Sequence, residues 1–89
     1  MEKTVFTREY GILLDVLKTT RRRAGITQVE LAEKLGESQS FVSKIERGAR
    51  RLDVIELRTI CQILGTTLPK FVSELEKSLA GGKKRRKSS

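Results

Sequence analysis

Apolar and polar residues alternate along this chain with the period of an α-helix. In the first segment Tyr10, Leu13, Leu14 and Leu17 recur at spacings of three and four residues, which places them on one stripe of a helix. Four further segments repeat this pattern, and short connections separate them. Short links between amphipathic helices are typical of a compact bundle. The pattern therefore predicts an all-α fold of five helices, without strands or internal repeats.

Capping residues and glycines mark the ends of the predicted helices. The first four helices are each preceded by a residue whose side-chain oxygen can accept a hydrogen bond from the first turn: Thr7, Thr27, Ser38 and Asp53. The cap position of the last helix falls at Thr67 or Leu68. Glu30 and Glu56 each lie three residues after such a cap, the spacing of a capping box. Pro69 fits the first turn of the fifth helix. Glycine ends the earlier segments, and "AGG" at residues 80–82 is expected to end the fifth.

The sequence predicts one folded domain at residues 1–80 and a basic tail at residues 81–89, which is expected to be disordered. A chain of 89 residues is long enough for one modest core. It has no apolar run of the length that a membrane span needs and no signal-peptide core at the N-terminus. A cytoplasmic, reducing location is expected.

Several kinds of chemistry are disfavoured by composition. The chain has no histidine and a single cysteine, Cys61, so neither a disulfide within the chain nor a Cys or His metal cluster is expected. Cys61 lies on the core side of a predicted helix, and no pair of carboxylates forms a recognisable site. The sequence therefore predicts no enzyme, no metal and no cofactor.

The net charge of +8 suggests a polyanionic partner, of which nucleic acid is the commonest. Five of the positive charges lie in "GGKKRRKSS", which leaves a net +3 for the rest of the chain. The tail fits a phosphate-binding arm or a merely solubilising extension. Charge alone does not decide the partner.

The third helix presents an unusual polar face. On a wheel of about 100° per residue, Val42 and Ile45 point inward. The opposite side carries mostly uncharged polar residues and two cations: Gln39, Ser40, Ser43, Lys44 and Arg47. Glutamine pairs with adenine, lysine favours guanine, and serine contacts several base edges in the major groove. On this pattern alone, a DNA-reading face and a solvated face are about equally favoured.

The link before this helix favours DNA reading. Only Gly36 and Glu37 separate the second helix from the Ser38 cap, so the two helices must cross sharply, as in a helix-turn-helix. Ala32 supplies the small side chain that a close crossing needs. Gly36 supplies the positive φ of the turn.

The stretch "RRAGITQVELAEKLGESQSFVSKIERGARRLDVIELRTICQILG" resembles the lambda-repressor/Cro-like helix-turn-helix family, also called the Xre family. The resemblance covers roughly residues 8 to 79. The matching positions are Arg21, Gly25, Thr27, Gln28, Leu31, Ala32, Leu35, Gly36, Ser38, Val42, Ser43, Ile45, Glu46 and Gly48.

The resemblance implies a role for each group of residues. Base-reading positions are Gln39, Ser40, Ser43 and Lys44, and phosphate-binding positions are Gln28, Ser38, Arg47, Arg50 and Arg51. Arg21 and Glu46 correspond to a structural ion pair. A homodimer is expected through the C-terminal helix, with Phe71, Val72 and Leu75 at the interface. Lys44 departs from well-known relatives, which leaves the operator sequence open.

The family implies sequence-specific binding of double-stranded DNA by a small transcriptional regulator, most often a repressor on a palindromic operator. It also implies a prokaryotic, nucleoid-associated protein. Three alternatives remain open from the sequence: an antitoxin that binds a toxin as well as its own operator, a restriction–modification controller, and an architectural protein that binds DNA without sequence preference.

Overall fold

The computed structural model describes the backbone of residues 7–88 and the side chains of residues 7–81. All regular structure in this part of the chain is α-helical, which confirms the predicted all-α fold of five helices. The helices are α1 (Arg8–Arg23), α2 (Gln28–Leu35), α3 (Gln39–Glu46), α4 (Val54–Ile63) and α5 (Leu68–Ser88).

The helices begin where the capping residues predict. Thr7, Thr27, Ser38 and Asp53 each accept a hydrogen bond from a backbone N–H three residues later. Both predicted capping boxes form, because the glutamate three residues after Thr27 and after Asp53 accepts from the cap's own N–H. Thr67 is the cap of α5, since its hydroxyl accepts from the Lys70 N–H at 3.3 Å.

The apolar stripes of all five helices meet in one core. α1 packs against α3 and α5, while α2 packs against α3 and α4, and α4 also contacts α5. The core consists of Leu14, Val16, Leu17, Leu31, Ala32, Val42, Ile45, Leu57, Ile60, Cys61, Leu64 and Phe71. Cys61 is completely buried, and this burial raises the pKa of its thiol, as expected of a cysteine that acts as a small core residue.

Helix α5 differs from its prediction in two ways. It does not end at residues 80–82 but continues to Ser88. Lysine and arginine are good helix formers, and cations near a helix C-terminus interact favourably with its dipole. In addition, the Phe71 side chain is only 2% exposed and lies in the core, so the assignment of Phe71 to a dimer interface is corrected. Of the other two residues assigned there, Val72 is exposed and Leu75 is half-buried.

Candidate nucleic-acid interface

A tight turn joins α2 to α3. Gly36 adopts a φ of +73°, and the N–H groups of Gly36 and Glu37 donate to the carbonyls of Glu33 and Ala32. Glycine tolerates this left-handed conformation because it has no Cβ. Ala32 is buried, so the two helices can approach closely. The turn thus makes α2 and α3 a helix-turn-helix, with α3 as its second helix.

Helix α3 divides into a buried side and a polar side. Val42 and Ile45 are 2% and 1% exposed and anchor the helix in the core. The predicted base-reading residues lie together on the other side, where Gln39, Ser40 and Lys44 are exposed and Ser43 is half-buried. Arg47 donates from Nη1 to the Ser43 hydroxyl at 2.9 Å and continues this face at the end of the helix.

Below the polar face lies a buried ion pair between α1 and α3. The Arg21 guanidinium donates to both carboxylate oxygens of Glu46, at 2.7 and 3.1 Å. A further Arg21 N–H donates to the Ile26 carbonyl at 2.9 Å. Both side chains are at least nine-tenths buried, so each charge depends on the other for compensation. The pair fixes α3 against α1.

The ion pair continues outward through two glutamines. Gln28 donates from Nε2 to Glu46 Oε1 at 2.9 Å, and Gln39 donates from Nε2 to Gln28 Oε1 at 2.8 Å. An ionised carboxylate only accepts hydrogen bonds, so Gln28 must turn its NH₂ group inward and its oxygen toward Gln39. Gln39 must then donate to that oxygen. The buried charge thereby sets the orientation of an exposed amide on α3.

The loop between α3 and α4 is held by contacts that the sequence pattern did not reveal. Arg50 donates to both carboxylate oxygens of Glu56, at 3.1 and 2.8 Å, and to the Arg51 carbonyl at 2.8 Å. Its guanidinium also lies 4.6 Å from the centroid of the Phe41 ring. The hydrogen bond from Arg50 lowers the pKa of the Glu56 carboxyl, and the same bond raises the pKa of Arg50. Arg50, predicted to bind phosphate, is therefore engaged within the protein.

Tyr10 ties the same loop to α1. Its hydroxyl accepts the Leu52 N–H at 3.2 Å, and its ring lies 5.1 Å below the Arg51 guanidinium. Sequence reasoning assigned Tyr10 only to the apolar stripe of α1. No local signal could have found this role, because its partners lie about 40 residues away in the chain.

The comparisons with known proteins agree with this geometry. A family model described as "Helix-turn-helix" matches residues 17–71, more than half of the chain. The chain belongs to the Xre-type helix-turn-helix family. A curated relative, the uncharacterized HTH-type transcriptional regulator y4dJ of Sinorhizobium fredii, is 36% identical over 61 residues, which cover 68% of this chain and 79% of the relative.

Two solved structures are similar to this Xre-type chain. One is an XRE-family like protein from Pseudomonas syringae pv. tomato, with a TM-score of 0.75 and 51% sequence identity, covering 83% of this chain and 90% of that one. The other is the clp gene regulator ClgR from Corynebacterium glutamicum, with a TM-score of 0.77 and 26% identity, covering 91% of this chain and 86% of that one.

Membership of the Xre-type family makes this chain a DNA-binding transcriptional regulator. The family consists of DNA-binding regulators and not typically of enzymes. Within residues 7–81, no group of three or more His, Cys, Asp or Glu side chains is arranged to hold a metal ion. None of the helices in the described part of the chain is long and apolar enough to cross a membrane.

Proposed function

We propose that this Xre-type protein is a repressor that binds a palindromic DNA operator as a homodimer and reads it with α3. The observation that carries the proposal is the exposed polar face of α3, in which Gln39 is oriented by Gln28. A face that served only for solubility would need no such orientation. A major groove is wide enough to admit an α-helix.

The free hydrogen-bonding groups of Gln39 suit adenine. One of its two amide N–H groups is used by Gln28, so the Oε1 acceptor and the second N–H remain for a ligand. Adenine offers the complementary pair in the major groove, an N6 donor and an N7 acceptor. Lys44 is placed one helical turn after Ser40 and favours the acceptors of guanine. Ser40 and Ser43 complete the proposed base-reading set.

Phosphate contacts would hold α3 in the groove. Gln28 keeps a second amide N–H and stands at the start of α2, where the helix dipole favours an anion. The remaining proposed contacts are Ser38, Arg47 and Arg51. Arg50, for which the resemblance also implies a phosphate contact, is instead held by Glu56, whereas Arg47 extends from the exposed face itself.

The size of α3 favours a dimer. Eight residues span about 12 Å of helix, enough for one half-site of a few base pairs. Two copies related by a two-fold axis would read successive major grooves, about one helical turn apart, on a palindrome. Occupation of such a site within a promoter blocks transcription, and the protein would act in the cytoplasm at the nucleoid.

Selection of bound sites from a randomised duplex pool, at about 150 mM salt, tests this function. We expect a palindrome whose half-sites are centred about ten base pairs apart. Gln39→Ala should relax the preference at one base pair of each half-site. The matched control is Gln62→Ala, which removes an exposed glutamine from α4. Recovery of no motif would exclude sequence-specific reading, and a repressor role is excluded if the operator-controlled promoter is equally active without the protein.

A further inference from the structure

The start of α4 exposes two adjacent apolar side chains. Val54 and Ile55 are 59% and 68% exposed, more than any other large hydrophobic residue among the described side chains. They occupy the first two positions of the helix, after the Asp53 cap. Neither position requires an apolar residue for capping. Together they form the most exposed aliphatic pair among the described side chains, which makes this end of α4 a candidate contact surface.

A groove lies directly beside this pair. It has a volume of about 160 Å³, and Ile55 forms one side of it. Leu35, Phe41 and Ile60 contribute further apolar lining, and Glu37 lies at the groove with them. Phe41 belongs to α3, so the groove is continuous with the helix that is proposed to read DNA.

The charges around the pair are self-complementary. Arg58 is exposed and lies one helical turn after Val54, on the same side of α4. Two carboxylates line the groove: Glu56 is paired with Arg50, and Glu37 carries the charge opposite to that of Arg58. In a two-fold contact, residue i of one copy meets residue j of the other, and j of the first meets i of the second. Arg58 and Glu37 would therefore form two equivalent ion pairs on either side of an apolar centre.

We propose that the partner of this surface is a second copy of the chain, docked through Val54, Ile55 and the groove, with Arg58 of each copy facing Glu37 of the other. This inference rests on the proposed function, because it names the contact that would hold two α3 helices in register. It places that contact at the start of α4 rather than on α5, where Phe71 is buried and Val72 is 40% exposed.

Sedimentation equilibrium on the full chain with Ile55→Glu tests the contact. An acidic residue in the first turn of a helix is favourable, so α4 should still form. The matched control, Val72→Glu, introduces the same charge on α5. We expect wild type and Val72→Glu to dimerise with similar constants and Ile55→Glu to dimerise at least tenfold more weakly. A monomeric wild type, or an Ile55→Glu variant that dimerises as wild type does, overturns the proposal.

A charge swap tests the proposed ion pairs. Glu37→Arg and Arg58→Glu should each weaken the dimer, and the double variant should restore it toward the wild-type constant. If the dimer of the double variant is weakened by the sum of the two single effects, the pairing is contradicted.

Site selection separates this inference from the proposed function. If Ile55→Glu binds a selected palindrome with wild-type cooperativity, the proposed dimer contact is wrong and the proposed function is unaffected. If the wild-type dimer selects no DNA sequence and Ile55→Glu still disrupts that dimer, the proposed contact is supported and the proposed function is wrong.

Discussion

The side-chain amide of Gln39 donates to that of Gln28 at 2.8 Å, which joins the first residue of α3 to the first residue of α2. Gln28 in turn donates to Glu46, which is buried and paired with Arg21. A charge in the core is thus connected, through two amides, to the surface proposed to read DNA. The connection couples the buried ion pair to the orientation of the Gln39 amide at the start of α3.

Gln28→Met should reduce base discrimination. Methionine has a similar length but no amide, so Gln39 could present either orientation of its own amide. We expect the preference at the base pair read by Gln39 to fall by about tenfold, which is within the 1–3 kcal/mol of a good bidentate contact. Competition binding with all four base pairs at each position of the selected site measures this. Gln62→Met is the matched control, and a uniform loss of affinity with unchanged base preference would limit Gln28 to phosphate binding.

Glu46→Ala should strongly destabilise the protein. It leaves the Arg21 guanidinium, in a residue only 8% exposed, without its carboxylate partner. Breaking a buried pair in this way costs about 3–5 kcal/mol, a large part of the stability of a small domain. Urea unfolding followed by circular dichroism measures the change. Asp15→Ala, which removes the surface contact to Lys18, should cost less than about 1 kcal/mol, and similar losses in the two variants would contradict the prediction.

Arg50→Ala should leave the salt dependence of DNA binding unchanged, because the Arg50 guanidinium is engaged by Glu56 and by the Phe41 ring. Arg47→Ala should lower the slope of log K against log salt by about one, since it would remove one phosphate contact. Binding titrations at several salt concentrations measure both slopes. If Arg50→Ala lowers the slope as Arg47→Ala does, Arg50 moves from Glu56 to a phosphate when DNA binds.

Glu56→Gln should lower the free energy of unfolding at neutral pH and leave it almost unchanged in acid. Hydrogen bonds from Arg50 and from the Asp53 N–H hold the pKa of the Glu56 carboxyl below its ordinary value of 4.5. The folded state therefore gains stability from the ionised carboxylate above pH 4.5, and this gain is lost as the pH falls through the lowered pKa. Glutamine retains a capping oxygen but no charge.

Urea unfolding of wild type and Glu56→Gln at intervals from pH 7 to about pH 3 measures this linkage. The difference in unfolding free energy should be largest at neutral pH and shrink toward the acid end. Glu30→Gln is the control, because Glu30 accepts the cap N–H in α2 as Glu56 does in α4, whereas the arginine pairing tested here is that of Arg50 with Glu56. A difference for Glu56→Gln that is constant over the whole range would show that the carboxyl charge does not contribute.

Local signals in the sequence were sufficient for the helices and for most of the candidate interface. A cap such as Thr27 and its partner Glu30 lie within one turn, so their hydrogen bonds depend only on neighbouring residues. The face of α3 follows in the same way from helical periodicity, which separates Val42 and Ile45 from Gln39 and Lys44. The end of α5 was predicted wrongly because glycine weakens a helix without necessarily ending it.

The sequence by itself determined the number of helices, their caps and the side of each helix that faces the core, because these depend on residues a few positions apart. Only the tertiary structure decided which side chains meet across the chain. It paired Arg50 with Glu56 and Phe41, brought the Tyr10 hydroxyl to the Leu52 N–H, and buried Phe71 in the core. These contacts depend on how the helices cross. Helical periodicity shows which side of a helix faces the core, but it does not show which residues of other helices and loops each side chain contacts.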